Sequence, residues 1–150
     1  MGNKIPESVL VVIHTADLQV LLLERADHPG FWQSVTGSQE AGESLLQTAR
    51  REVAEEAGID ADESTFVDWH LQNRYEIYHH WRGRYAPGVT HNTEHVFSLQ
   101  LPDARCITLA PREHLRYLWL PWRDAADKVF SWTNMEAIRA LAVREKPLAG

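Results

Sequence analysis

The chain predicts an α/β fold with its sheet packed between helices. Three observations point there. Short β-branched and apolar runs recur along it, the first two at 8–14 and 19–24. A long helical pattern over about 45–57 interrupts them. Further helical patterns close the chain after residue 121. Strands interrupted by one helix and ended by others bury their apolar faces between layers of helix.

Each element has its own signal. Ser8 to His14 and Gln19 to Glu24 flank Ala16-Asp17, which predicts a hairpin. His28-Pro29-Gly30 is a turn, and Phe31 to Val35 is a short strand leading to a glycine. Ser44 is a preferred helix N-cap, and Gly58 stands where a glycine ends a helix. Between them Leu45, Leu46, Ala49, Val53 and Ala57 form one apolar stripe. Phe66 to Trp81 carries alternating bulky residues and reads as one or two strands. Gly83 to Asn92 holds Pro87-Gly88 and is a loop. Thr93 to Leu101 alternates again, and Arg105 to Leu109 and Leu115 to Leu120 are short strand candidates. Trp122 to Phe130 and Thr133 to Glu145 read as helices, the second with Met135, Ile138, Leu141 and Ala142 at helical spacing.

Composition bounds the function. A length of 150 residues predicts a single domain over 1–150, and 44% apolar with 24% charged residues is ordinary for a globular chain. The net charge is −6 and no basic run exists, which disfavours a nucleic-acid polymer as partner. An anionic small molecule would need local cations or a metal ion. Cys106 is the single cysteine, so no intrachain disulfide forms, which fits a cytoplasmic location; the side chain is expected to be small and buried. No apolar run approaches 18 residues, so no membrane span is expected. A monomer is the expected state.

The densest chemistry lies at 37–59. Gly37 is followed by five residues and Glu43; seven more lead to Arg51-Glu52-Val53, then Glu55-Glu56 and Gly58-Ile59. At about 100° per residue, Glu52, Glu55 and Glu56 fall within roughly 100° on one side of the helix. Three clustered carboxylates repel unless a cation sits among them. Hard oxygen donors favour Mg²⁺, with Mn²⁺ as substitute, over zinc. Taken alone, Glu-x-x-Glu-Glu also fits a solvated acidic face partnered by Arg50 and Arg51.

The whole spacing from 37 to 59 resembles the Nudix box at every defining position. Within the Nudix hydrolases, the chain is similar to the bacterial dihydroneopterin triphosphate pyrophosphatases from Lys4 to Ile138. That likeness rests on three further segments: 31–37, the run from Arg84 to Glu94, and Ser131-Trp132-Thr133-Asn134. The resemblance implies an α/β/α sandwich with a mixed β-sheet. It implies a metal-dependent enzyme that cleaves dihydroneopterin triphosphate to the monophosphate and pyrophosphate in folate synthesis. By that likeness Glu52 and Glu56 hold the metal with Glu55 beside them, and Glu113 is a base or a further metal ligand. Lys4, Arg25 and Ser131 match phosphate-contacting positions, and Arg51 orients the carboxylates. The chain departs from the pattern at Glu24, Ala26 and Arg112.

Other residues bear on specificity. Arg suits phosphate as a planar fork and Lys as a point charge. Trp32, with Phe31, offers a flat surface for a pterin, and Asn92 with Glu94 offers polar groups that the box does not require. His79-His80 resembles a ligand pair, but neighbours on a strand face opposite ways. His114 is placed to tune Glu113. Two other functions remain open on sequence: a broader nucleoside triphosphate pyrophosphohydrolase favouring dATP, and a non-catalytic binding module of the same fold. The intact Arg51, Glu52, Glu55 and Glu56 speak against the second.

Overall fold

A computed structural model describes residues 3–145. In chain order its elements are β1 (Glu7–His14), β2 (Gln19–Arg25), β3 (Trp32–Gln33), β4 (Val35–Ser38), α1 (Leu45–Ala57), β5 (Phe66–Glu76), β6 (His91–Gln100), β7 (His114–Pro121), α2 (Trp122–Lys128) and α3 (Trp132–Arg144). β1 is central. It pairs in parallel with β6 along its whole length and antiparallel with β4, while β5 lies beyond β6. β2 pairs antiparallel with β3 and β7. β1 and β2 meet only at His14 and Val20, so the expected hairpin closes at its turn and then splays. The sheet is therefore mixed.

β1 explains the layering. Val9, Val11 and Ile13 pack with Ala49, Val53 and Ala57 of α1. Leu10 and Val12 point the other way, onto Ala125 of α2 and Ala137, Ile138 and Leu141 of α3. A strand buried on both faces reads as a continuous apolar run, which is what 8–14 is. The result is the expected α/β/α sandwich.

α1 begins and ends where its caps dictate. Ser44 accepts from the Gln47 amide while the Gln47 side chain returns to the Ser44 amide. Such a capping box contributes about 1 kcal/mol. Gly58 takes the left-handed conformation (φ 67°) that lets its N–H close on the Ala54 carbonyl.

Four expectations change. The strand at 31–35 is two strands, broken at Ser34, whose N–H donates to Asn134 Oδ1 at 2.8 Å. The strand from Phe66 stops at Glu76, and 79–84 form a 3₁₀ turn carrying His79, His80 and Trp81. No strand forms at 105–109: Ile107 plugs the core below the end of α1, and the Thr108 amide bonds the Ala57 carbonyl at 3.3 Å. Cys106 is exposed, not buried, because its neighbour Ile107 is the residue turned inward.

Candidate active site

The box segment puts its acids on the side of α1 that faces β4. Gly37 of β4 presses against the Glu52 side chain so closely that a Cβ there would overlap the carboxylate. Arg51 is the organiser. Its guanidinium donates to Glu43 at 2.6 and 3.0 Å, to Glu52 at 2.8 Å, to Glu55 at 3.2 Å and to the Ser38 carbonyl at 3.0 Å. The Arg51 bond, with help from the Glu40 amide, holds Glu43 down to about 2. Arg51 itself is held firmly charged by Glu43.

The carboxylates beyond Arg51 are in the opposite condition. Glu56 is buried, its Oε2 has no hydrogen-bond partner, and burial followed by Glu52 and Glu113 raises its pKa well above the ordinary range. Glu52 is raised too, by burial against the opposing pull of Arg51. Glu113, from the turn before β7, comes to meet them: ligand atoms of Glu56, Glu113 and His114 lie within 4.8 Å of one another. His114 Nε2 is 3.4 Å from Glu56 Oε1. Burial, with Arg25 second, lowers its pKa to about 4, so it is neutral and cannot offset the acids. A buried carboxylate oxygen without a donor, among other acids and a neutral imidazole, fits a cation as the missing counter-charge. His114 thus faces Glu56, not only Glu113 beside it.

The acids line one end of a cavity of about 1100 Å³. Cationic side chains line the same cavity despite the acidic chain. Lys4, Arg25, Arg84 and Arg112 all line it. Lys4 is drawn below its usual pKa by partial desolvation and then by Arg84. Arg25 and Arg84 share Asp27 at 2.7 and 3.0 Å and lie over the Trp81 ring at 4.5 and 5.5 Å. Asp27 fixes both forks but leaves the group net positive. Ser131 also lines the cavity; it caps α3 by accepting from the Asn134 amide at 3.3 Å.

Trp32 does not belong to this site. It is 5% exposed, lies in the core under α2 and α3, and takes Lys128 and Arg116 over its ring. Its position on β3 turns it to the α2–α3 side of the sheet. The aromatic residues that do line the cavity are Tyr75, Tyr78, Trp81, Tyr85, Phe130 and Trp132. Asn92 lines it from β6, with Nδ2 donating to Ser8 Oγ at 2.7 Å and Tyr75 Oη at 3.1 Å. Glu94, two residues on, is buried beside it. The sequence held a signal for this pair: polar residues in phase with Val96 on the strand. His79 does not line the cavity, and the two histidines sit on a 3₁₀ turn instead of a strand.

Comparison with known proteins gives concordant results. The chain matches the NUDIX domain over residues 4–141. It is 49% identical over 143 residues to the dihydroneopterin triphosphate diphosphatase of Escherichia coli (strain K12), covering 93% of this chain and 94% of that one. The enzyme of the same name from Haemophilus influenzae is 40% identical, over 93% and 89% of the two chains. The solved structure of the E. coli dihydroneopterin triphosphate pyrophosphohydrolase superposes with a TM-score of 0.89 at 47% identity, covering 96% of this chain and 99% of that one.

Proposed function

Since the chain belongs to the NUDIX family, we propose that it hydrolyses 7,8-dihydroneopterin triphosphate to the monophosphate and pyrophosphate, a step in folate biosynthesis. The observation that carries this reading is the near-full-length likeness to two enzymes of that name, with 49% and 40% identity. The cavity supports it by bringing a cluster of acids and several cationic side chains to one space.

Nudix hydrolases use divalent metal ions, and the oxygen donors of Glu52, Glu55 and Glu56 favour Mg²⁺, with Mn²⁺ able to substitute. When bound, such an ion offsets phosphate charge and makes water a better nucleophile. The remaining work falls to the chain. Lys4, Arg25 and Ser131 hold the triphosphate. Arg51 orients Glu52 and Glu55 and does not reach the cavity. A water oxygen bonds to phosphorus at the α–β bridge, the bridging P–O bond breaks, and pyrophosphate leaves. Glu113 takes the proton from the water.

The acting unit we propose is a monomer with one domain over 1–150. No helix among the described residues is long and apolar enough to cross a membrane. A cytoplasmic location is our reading of the unpaired, exposed Cys106. The test is turnover of dihydroneopterin triphosphate against dATP at equal concentration with Mg²⁺. Preference for the pterin supports the proposal; preference for dATP replaces it with a broader nucleoside triphosphate pyrophosphohydrolase. No pyrophosphate from either would leave a binding module.

A further inference from the structure

The cavity has a second end, and it is built differently from the first. Ser8 and Glu94 are register partners on β1 and β6, in phase with Leu10 and Val96. Leu10 and Val96 pack into the core under α3, on the opposite face of the sheet from α1. The metal-binding acids and Glu94 therefore reach one cavity from opposite sides of the sheet.

Glu94 is 3% exposed, and its Oε1 is buried without a hydrogen-bond partner. A buried carboxylate oxygen left unpaired costs free energy unless something satisfies it. Among the described residues no Lys or Arg pairs with it. The nearby Thr133 hydroxyl only partly opposes the effect of burial. Asn92 shows the same condition. Its Nδ2 is spent on Ser8 and Tyr75, and its Oδ1 is buried and unpaired. With Glu94 ionised, this end offers two free acceptors and no free donor from these two side chains. Trp132, the residue before Thr133, lines the same cavity with half its surface open.

We propose that Glu94 is the specificity-determining residue of this enzyme, its carboxylate accepting from the ring N–H and exocyclic amino group of a 2-amino-4-oxopyrimidine edge. Asn92 Oδ1 supplies a further acceptor. A flat ring bearing adjacent donors matches an acceptor-only pocket. Adenine offers an amino donor next to a bare ring nitrogen, which sets a lone pair against the carboxylate. The class of ligand is shared by pterins and guanine, and the assignment of the pterin among them rests on the function proposed above.

The test compares kcat/KM for dihydroneopterin triphosphate, dGTP and dATP in the parent and in Glu94→Gln at about pH 8.5, where the Glu94 carboxylate is ionised. The change keeps the shape and puts a donor where an acceptor stood. A hydrogen bond to a charged group is worth roughly 10- to 100-fold in affinity. The expected result is a loss of that size on the pterin and on dGTP, with a smaller loss on dATP, so the preference over adenine narrows about tenfold or more. Direct binding of unphosphorylated neopterin, followed by calorimetry without divalent cation, should weaken in parallel. An unchanged ratio between dGTP and dATP overturns the assignment, as does an equal loss on all three substrates. Thr133→Val, which removes only the hydroxyl beside Glu94, should shift the same ratio in the same direction if Glu94→Gln proves too unstable to assay. If the parent ignores dihydroneopterin triphosphate, the proposed reaction fails, yet the dGTP to dATP ratio still decides the role of Glu94.

Discussion

Gly37 and Glu52 are locked together. The glycine on β4 leaves the space that the Glu52 carboxylate fills, and any side chain at 37 would occupy the same volume. The glycine is required here for close approach and not for a left-handed backbone, since its φ is not in that region. Gly37→Ala should therefore displace Glu52 from its 2.8 Å bond to Arg51. The expected outcome is a fall in kcat and a higher midpoint for activation by divalent cation. A variant as active as the parent, with the same cation midpoint, would mean that Glu52 has room to move without losing its role.

Glu56 carries the clearest need for a cation. It is buried with a free Oε2, and burial, Glu52 and Glu113 together disfavour its charge. Mg²⁺ should raise the thermal midpoint of the parent, by an amount corresponding to about 2.7 kcal/mol at 100 times its dissociation constant. Glu56→Gln should lose most of that shift. Its turnover should fall by roughly 10² to 10⁴, as for removal of a key acid–base or metal-holding group. Near-parent activity of the variant in saturating Mg²⁺ would refute the assignment.

Glu113 is exposed, unlike Glu56, and is held by its turn and not by a helix: its N–H bonds Ala110, and its carbonyl accepts from Ala26. Removing it should spare the fold. Glu113→Ala is expected to lower kcat far more than it changes KM, because a base acts in the transition state and not in ground-state binding. A kcat equal to that of the parent would return the base role to Glu55 or Glu56.

Burial of Glu94 has a cost that pH reveals. Burial lifts its pKa to about 7 in the fold, against an ordinary 4.5. The folded state then holds its proton more tightly than the unfolded chain. Stability contributed by the protonated form is full below about pH 4.5, falls as pH rises towards 7, and is level above that. The total is about 3 kcal/mol. Glu94→Gln removes this dependence, so the variant should gain on the parent between pH 5 and pH 8. Urea unfolding at both pH values, without divalent cation, measures it. The contributions of Glu52 and Glu56 cancel between the two proteins. A stability difference independent of pH would show that Glu94 is not penalised by burial.

The sequence by itself determined the elements whose signals are local. The caps at Ser44 and Gly58, the apolar stripe of α1 and the continuous apolar run of β1 are all decided within one or two turns or one strand. The box spacing likewise placed Glu52, Glu55 and Glu56 on one side of one helix. Tertiary structure decided what depends on residues far apart. Arg25 and Arg84 converge on Asp27 because β2 and the 79–84 turn meet in space. Glu113 reaches Glu56 only because β7 pairs with β2. Trp32 looked like a cavity wall because an aromatic residue beside a glycine loop can face either way; the pairing of β3 with β2 turned it into the core. The unpaired acceptors of Asn92 and Glu94 were equally hidden. A strand pattern tells which face a side chain takes, but whether that face holds a partner is settled by the helix that packs across it.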